Sequence, residues 1–178
     1  MAEHPAGLWL WRGAFVVAVA VMLFLRIMPL SVEAGSLPGP DLLMVLCCAW
    51  VLRRPDHLPA LLIAGAVLVE DMLLMRPPGL WTAIMLIGTE FLRSRAAFSR
   101  ELTLISEWFM VVIVMLAMML GNRMLMFLTL LPQPSLGMTL VQFLFSALSY
   151  PLIVLALKFG LRVHKPSTAE SDRLGRRL

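Results

Sequence analysis

The chain has 178 residues, of which 60% are hydrophobic and only 15% charged, and its mean hydropathy is +0.88. So few polar side chains cannot cover the surface of a water-soluble domain of this size, and lipid is the expected solvent. A net charge of +4 would point to nucleic acid in a soluble protein, but here the basic residues stand in short clusters between apolar runs, as they do at the cytoplasmic face of a membrane.

At roughly 20 residues per crossing, this length predicts an all-α integral membrane protein with about six transmembrane helices and no separate globular domain. The first span is expected over 13–30, after Arg12 and closed by Pro29. Its apolar stretch followed by Val32-Glu33-Ala34 competes as a cleaved signal peptide, but Arg26 interrupts the apolar region. The second span, 41–54, opens after Pro38-Gly39-Pro40 and is short for a full crossing. The third, 58–75, carries Glu70 and Asp71 near its end and leads into Arg76-Pro77-Pro78-Gly79. The fourth covers 79–93, the fifth 104–131 and the sixth 136–161. Pro151 inside the sixth is tolerable where a neighbouring helix satisfies the carbonyl it frees. Residues 1–163 thus form one transmembrane domain, followed by a basic cytoplasmic tail over 164–178.

Basic residues set the orientation. Alternate segments carry Arg12, then Arg53 and Arg54, then Arg93, Arg95 and Arg100, then Lys158, Arg162, Lys165, Arg173, Arg176 and Arg177, against only Arg76 in the intervening loops. The positive-inside rule therefore places both termini in the cytoplasm of a multi-pass inner-membrane protein.

Charges inside spans are expensive and mark candidate sites. Glu70 and Asp71 fall ~18–20 Å along the third span, and Arg26, Asn122 and Arg123 reach a similar height in the first and fifth. The expectation is that Arg26 or Arg123 pairs with Glu70 or Asp71, because a lone buried charge costs several kcal/mol and a paired one much less. This layer reads as structural glue, as the wall of an outward-facing polar groove for a partner segment or ligand, or as part of a proton or ion relay, which would need a chain of such groups from face to face. Glu90, Arg93, Arg95 and Glu107 are read as interfacial, with Glu107 near Arg93, Arg95 or Arg100. Trp9, Trp11, Trp50, Trp81 and Trp108 read as an aromatic belt. Ala64-Gly65-Ala66 reads as a place of close helix approach. Cys47 and Cys48 are adjacent and make no disulfide framework. His4, His57 and His164 are scattered and predict no zinc site. No catalytic constellation or cofactor motif is present.

Several stretches together resemble the rod-shape-determining protein MreD family. They are Pro40-Asp41-Leu42-Leu43, Ala49-Trp50-Val51-Leu52-Arg53-Arg54-Pro55, Leu68-Val69-Glu70-Asp71-Met72-Leu73 with the turn Pro77-Pro78-Gly79-Leu80, Thr89-Glu90-Phe91-Leu92-Arg93 and Asn122-Arg123. The acidic doublet and the basic tail depart from the pattern. The resemblance implies a bundle similar to the substrate-binding (S) subunits of energy-coupling-factor transporters. It also implies a non-catalytic role in the elongasome that supports peptidoglycan synthesis. MreC is the implied direct partner, and RodA, the class B penicillin-binding transpeptidase and MreB are reached through it. Anionic lipid is the expected partner of the tail, and no nucleic acid is expected. The alternative is a small-molecule-binding subunit of an energy-coupling-factor-type transporter.

Overall fold

The computed structural model describes residues 5–28, 38–99 and 103–160. Arg100, the Val32-Glu33-Ala34 segment and the 164–178 tail lie outside the described residues. Those described are all-helical, with no strand among them: α1 (Pro5–Ile27), α2 (Leu42–Arg53), α3 (Ala60–Leu73), α4 (Leu80–Ser94), the single turn α5 (Ala96–Ser99), α6 (Leu104–Leu128) and α7 (Leu136–Gly160). A 3-10 turn, Pro55–His57, joins α2 to α3. The protein is a helical membrane protein, and among the described residues three helices are long and apolar enough to cross a bilayer: Leu8–Ile27, Leu104–Leu128 and Leu136–Lys158.

α2 and α3 are shorter than the expected spans 41–54 and 58–75, while α4 keeps the expected length. α2 has 12 residues, α3 has 14 and α4 has 15, against about 20 for a full crossing. The first helix also begins about two helical turns before the expected start at 13, with Pro5 in its first turn, where a proline's missing N–H costs nothing.

Each boundary has a local cause. Asp41 caps α2, its Oδ1 accepting from the Met44 N–H at 3.2 Å. α3 ends in a turn with Met75 at φ 52°, and α4 begins after Gly79 at φ 89°, a left-handed conformation glycine adopts without strain. Thr103 caps α6 by accepting from the Ser106 N–H at 3.3 Å.

α2 lies at the centre. Every residue from Leu43 to Arg53 is buried, with α1, α4 and α7 packed around it. Cys47 and Cys48 are inside this core, so they face protein and not lipid. Trp50 is fully buried and meets Phe15 edge-on at 5.4 Å, interplanar angle 82°. It is a core residue, which corrects its reading as an interfacial anchor. Elsewhere large apolar side chains face outward, among them Leu61, Met72, Ile87, Ile113 and Leu152; this is the surface lipid requires.

Pro151 deprives the Ala147 carbonyl of its helical donor, and the Trp108 Nε1–H supplies one from α6 at 2.8 Å. One belt tryptophan thus repairs a kink-prone helix.

The close helix approach falls at Gly88 and not at Gly65. A Cβ built on Gly88 would overlap the Met118 side chain, whereas one on Gly65 meets nothing within 4 Å. We expect Gly88→Val to lower the melting temperature in detergent by several degrees, the equivalent of about 1–3 kcal/mol of overpacking. Gly65→Ala should be neutral or slightly stabilising by helix propensity. Equal losses at both positions would contradict this packing.

Candidate functional site

Two clusters of charge hold the ends of α2. At its N-terminal end, the Arg26 guanidinium of α1 bonds Glu70 of α3 and lies 3.3 Å from Asp41 Oδ1. Glu70 and Asp41 are 1% and 4% exposed, so this is a desolvated pair and not a surface contact. The Asp41 N–H also donates to Ser146 Oγ of α7 at 2.7 Å. One node therefore ties α1, α2, α3 and α7.

Asp71 has a different task. Its Oδ2 accepts from the Gly79 and Thr82 N–H groups, each at 3.3 Å, and from Thr82 Oγ1 at 2.9 Å. It satisfies amides at the start of α4, where the helix dipole also favours a negative charge. The doublet thus divides its work: Glu70 joins the ion-pair node and Asp71 fastens the α3–α4 turn.

At the other end of α2, Arg53 is 5% exposed and donates to Glu107 Oε1 at 2.9 Å and to the Ala49 carbonyl at 3.3 Å. The Tyr150 hydroxyl donates to the same Glu107 oxygen at 2.6 Å. Glu107 is fully buried. This corrects its placement as an interfacial residue near Arg93, Arg95 or Arg100: its basic partner is Arg53, from the short second helix. Glu90 and Arg93 pair with each other at 3.0 Å, with Glu90 exposed. Arg93 further donates to the carbonyls of Pro55 and Leu58 at 2.5 and 2.6 Å, clamping the 3-10 turn. Arg95 lies over the Phe91 ring, 5.4 Å from its centre. His57 stacks on Trp11 at 5.9 Å.

Arg123 joins neither cluster. Its Nη1 donates to the Pro134 carbonyl at 3.1 Å and to Thr139 Oγ1 at 3.3 Å, so the expected alternative pairing to Glu70 or Asp71 does not occur. Asn122 Nδ2 approaches Met126 Sδ at 3.9 Å, and its Oδ1 is buried with no protein partner. Both side chains line a cavity of about 130 Å³ among α2, α4, α6 and α7. Asp41, Met44 and Ser146 also line it, together with Arg76 and Trp81.

The stretch of α2 between the clusters, Leu42 to Leu52, is apolar and extends ~18 Å from Asp41 to Arg53. No charged side chain of α2 connects the two layers, so this helix offers no proton path. Among the described residues no group of three or more His, Cys, Asp or Glu side chains is placed to hold a metal ion. Sequence reading missed the Asp41 and Arg53 partnerships because both residues stand at the ends of a helix that looks like a loop-flanked span. The signal available was the shortness of that span, which draws its terminal charges inward. The chain matches no family model, no curated protein and no solved structure.

Two substitution series test the assignment. Arg53→Met should strongly destabilise the protein, on the order of 3–5 kcal/mol, by stranding Glu107; adding Glu107→Gln should recover more than half of the loss. At the other node, Arg26→Gln should lower the detergent melting temperature far more than Arg123→Gln, and Arg26→Gln with Glu70→Gln should recover part of it. Equal effects of Arg26→Gln and Arg123→Gln would remove the ion-pair node.

Proposed function

We propose that this chain is a non-catalytic scaffold of the bacterial cell-elongation machinery in the inner membrane, similar to the MreD family, and that its direct partner is MreC. The observation that carries the reading is the acidic residue placed late in a helix before a Gly-Leu turn. Glu70 there joins a buried node with Arg26 and Asp41, and Asp71 fastens the turn itself. Such a node gives a rigid bundle with a fixed outer shape, which is what a platform for other membrane helices requires. The charged side chains of the two clusters, with Asp71 and Arg93, hold helices and turns together, and this favours assembly over chemistry.

On this reading all six long helices cross the membrane, the three shorter ones with help from flanking residues and a thinned bilayer. Both termini face the cytoplasm, because alternate segments carry most of the lysine and arginine. The bundle is similar to the S subunits of energy-coupling-factor transporters. MreC links it to RodA, the class B penicillin-binding transpeptidase and MreB. The basic tail rests on anionic lipid, at about 1 kcal/mol per basic residue.

A second reading is supported by the cavity beside Asp41: a small-molecule-binding subunit of an energy-coupling-factor-type transporter. Co-purification of the tagged chain from native membranes in mild detergent separates the two. The scaffold reading expects MreC in near-stoichiometric amount. Recovery of a pair of ATPase subunits with a shared transmembrane protein, and no MreC, would transfer the assignment to the transporter class.

A further inference from the structure

The cavity beside α2 shares Asp41 with the Arg26–Glu70 node and adds two arginines, Arg76 and Arg123, and an indole to it. Asp41, which lines it, is already engaged by Arg26 and by the Met44 N–H. Arg76 and Arg123 line the same cavity; Arg76 lies within electrostatic reach of Glu70 but makes no ion-pair contact with it, and Arg123 has no carboxylate partner among the described residues. Arg123 is held instead by a carbonyl and a hydroxyl, which fix its position without neutralising it. Trp81 lines the cavity too; it is 9% exposed, and its buried Nε1–H has no protein partner. A buried donor left without an acceptor costs about 1–3 kcal/mol, which an acceptor bound in the cavity would recover. The remaining wall is apolar, from Met115, Met119 and Phe143. The volume of about 130 Å³ far exceeds the ~10–15 Å³ that a single water needs.

We propose that this cavity binds an amphiphile with a single anionic head, a carboxylate or phosphate, attached to an apolar body. The head lies between Arg76 and Arg123 and accepts from the Trp81 Nε1–H. The body lies on the methionines and Phe143. Arginine suits this task because its guanidinium stays charged and presents several donors to an oxyanion. A cationic ligand is disfavoured by the two arginines and by the prior engagement of Asp41. The same chemistry is carried by an anionic phospholipid entering from the bilayer and by a soluble organic acid entering from water. The proposal goes beyond the scaffold reading and does not depend on it, because it concerns the isolated chain.

The full chain, washed free of co-purified lipid as judged by native mass spectrometry, is titrated with hexyl phosphate, hexanoate, hexylammonium and hexanol. Thermal unfolding and tryptophan fluorescence are recorded for each. Saturable stabilisation by hexyl phosphate or hexanoate is expected, with no such response to hexylammonium or hexanol. Affinity should fall about tenfold or more in Arg76→Gln with Arg123→Gln, as loss of charge-assisted hydrogen bonds implies. Trp81→Phe keeps an aromatic ring at the position while removing the N–H donor, so it reports on the site even where the arginine variants fail to fold. It should weaken binding and abolish the ligand-dependent fluorescence change. A parallel titration in phosphatidylcholine nanodiscs with increasing phosphatidylglycerol identifies the source: stabilisation there assigns the lipid, and its absence beside a response to the soluble acids assigns a soluble ligand. The proposal is overturned by a folded protein that responds to neither anion, by an equal response to hexylammonium, or by an unchanged affinity in Trp81→Phe and in the arginine variant.

Discussion

Both ends of one short apolar helix are held by buried ion pairs, and the rest of the bundle is arranged around that constraint. In water, burying Leu43 to Leu52 would itself drive α2 to the centre. In lipid it does not, because acyl chains are as apolar as leucine and provide no hydrophobic force between helices. Polar groups must therefore decide which helix lies inside. Asp41 at the start of α2 and Arg53 at its end have no partners in hydrocarbon, whereas Arg26 and Glu107 await them in the bundle. The signs also suit the helix: an acid at the N-terminal end and a base at the C-terminal end both oppose its dipole.

The two clusters differ in construction. The Arg53–Glu107–Tyr150 cluster is closed, with its base almost fully buried and a hydroxyl adding a second bond to the shared oxygen. The Arg26–Asp41–Glu70 cluster is less sealed: the Arg26 side chain is 23% exposed, and a cavity begins at Asp41. One end of the bundle is thus a fastening alone, and the other is a fastening with an opening beside it. That asymmetry is why the opening, and not the inner cluster, is the place to look for a ligand.

Packing details follow from the same scarcity of hydrophobic force. Where lipid competes equally for every apolar face, van der Waals fit and satisfied backbone groups separate an inner face from an outer one. Gly88 permits close packing of Met118, Trp108 restores a donor to the carbonyl freed by Pro151, and Arg93 occupies two carbonyls of the 3-10 turn. Each removes a polar or steric obstacle, and none contributes much apolar burial that lipid would not also supply.

The composition by itself determined the solvent and the helical class, because the helices that can cross a bilayer need long apolar runs and those runs are visible one residue at a time. Residue type also marked the intramembrane charges, and a pairing of Arg26 or Arg123 with Glu70 or Asp71 was legible since all four stand at a similar height; which of the four pairings forms was left to the tertiary structure. The separate role of Asp71, the rejection of Arg123 by the node, and the burial of Glu107 and Trp50 were decided by the tertiary structure. Height along a helix can be counted from the sequence, but rotation about its axis cannot when both faces are apolar. Hydropathy carries no signal that tells a face turned to lipid from one turned to α2, and only the three-dimensional meeting of Arg53, Glu107 and Tyr150 makes that choice.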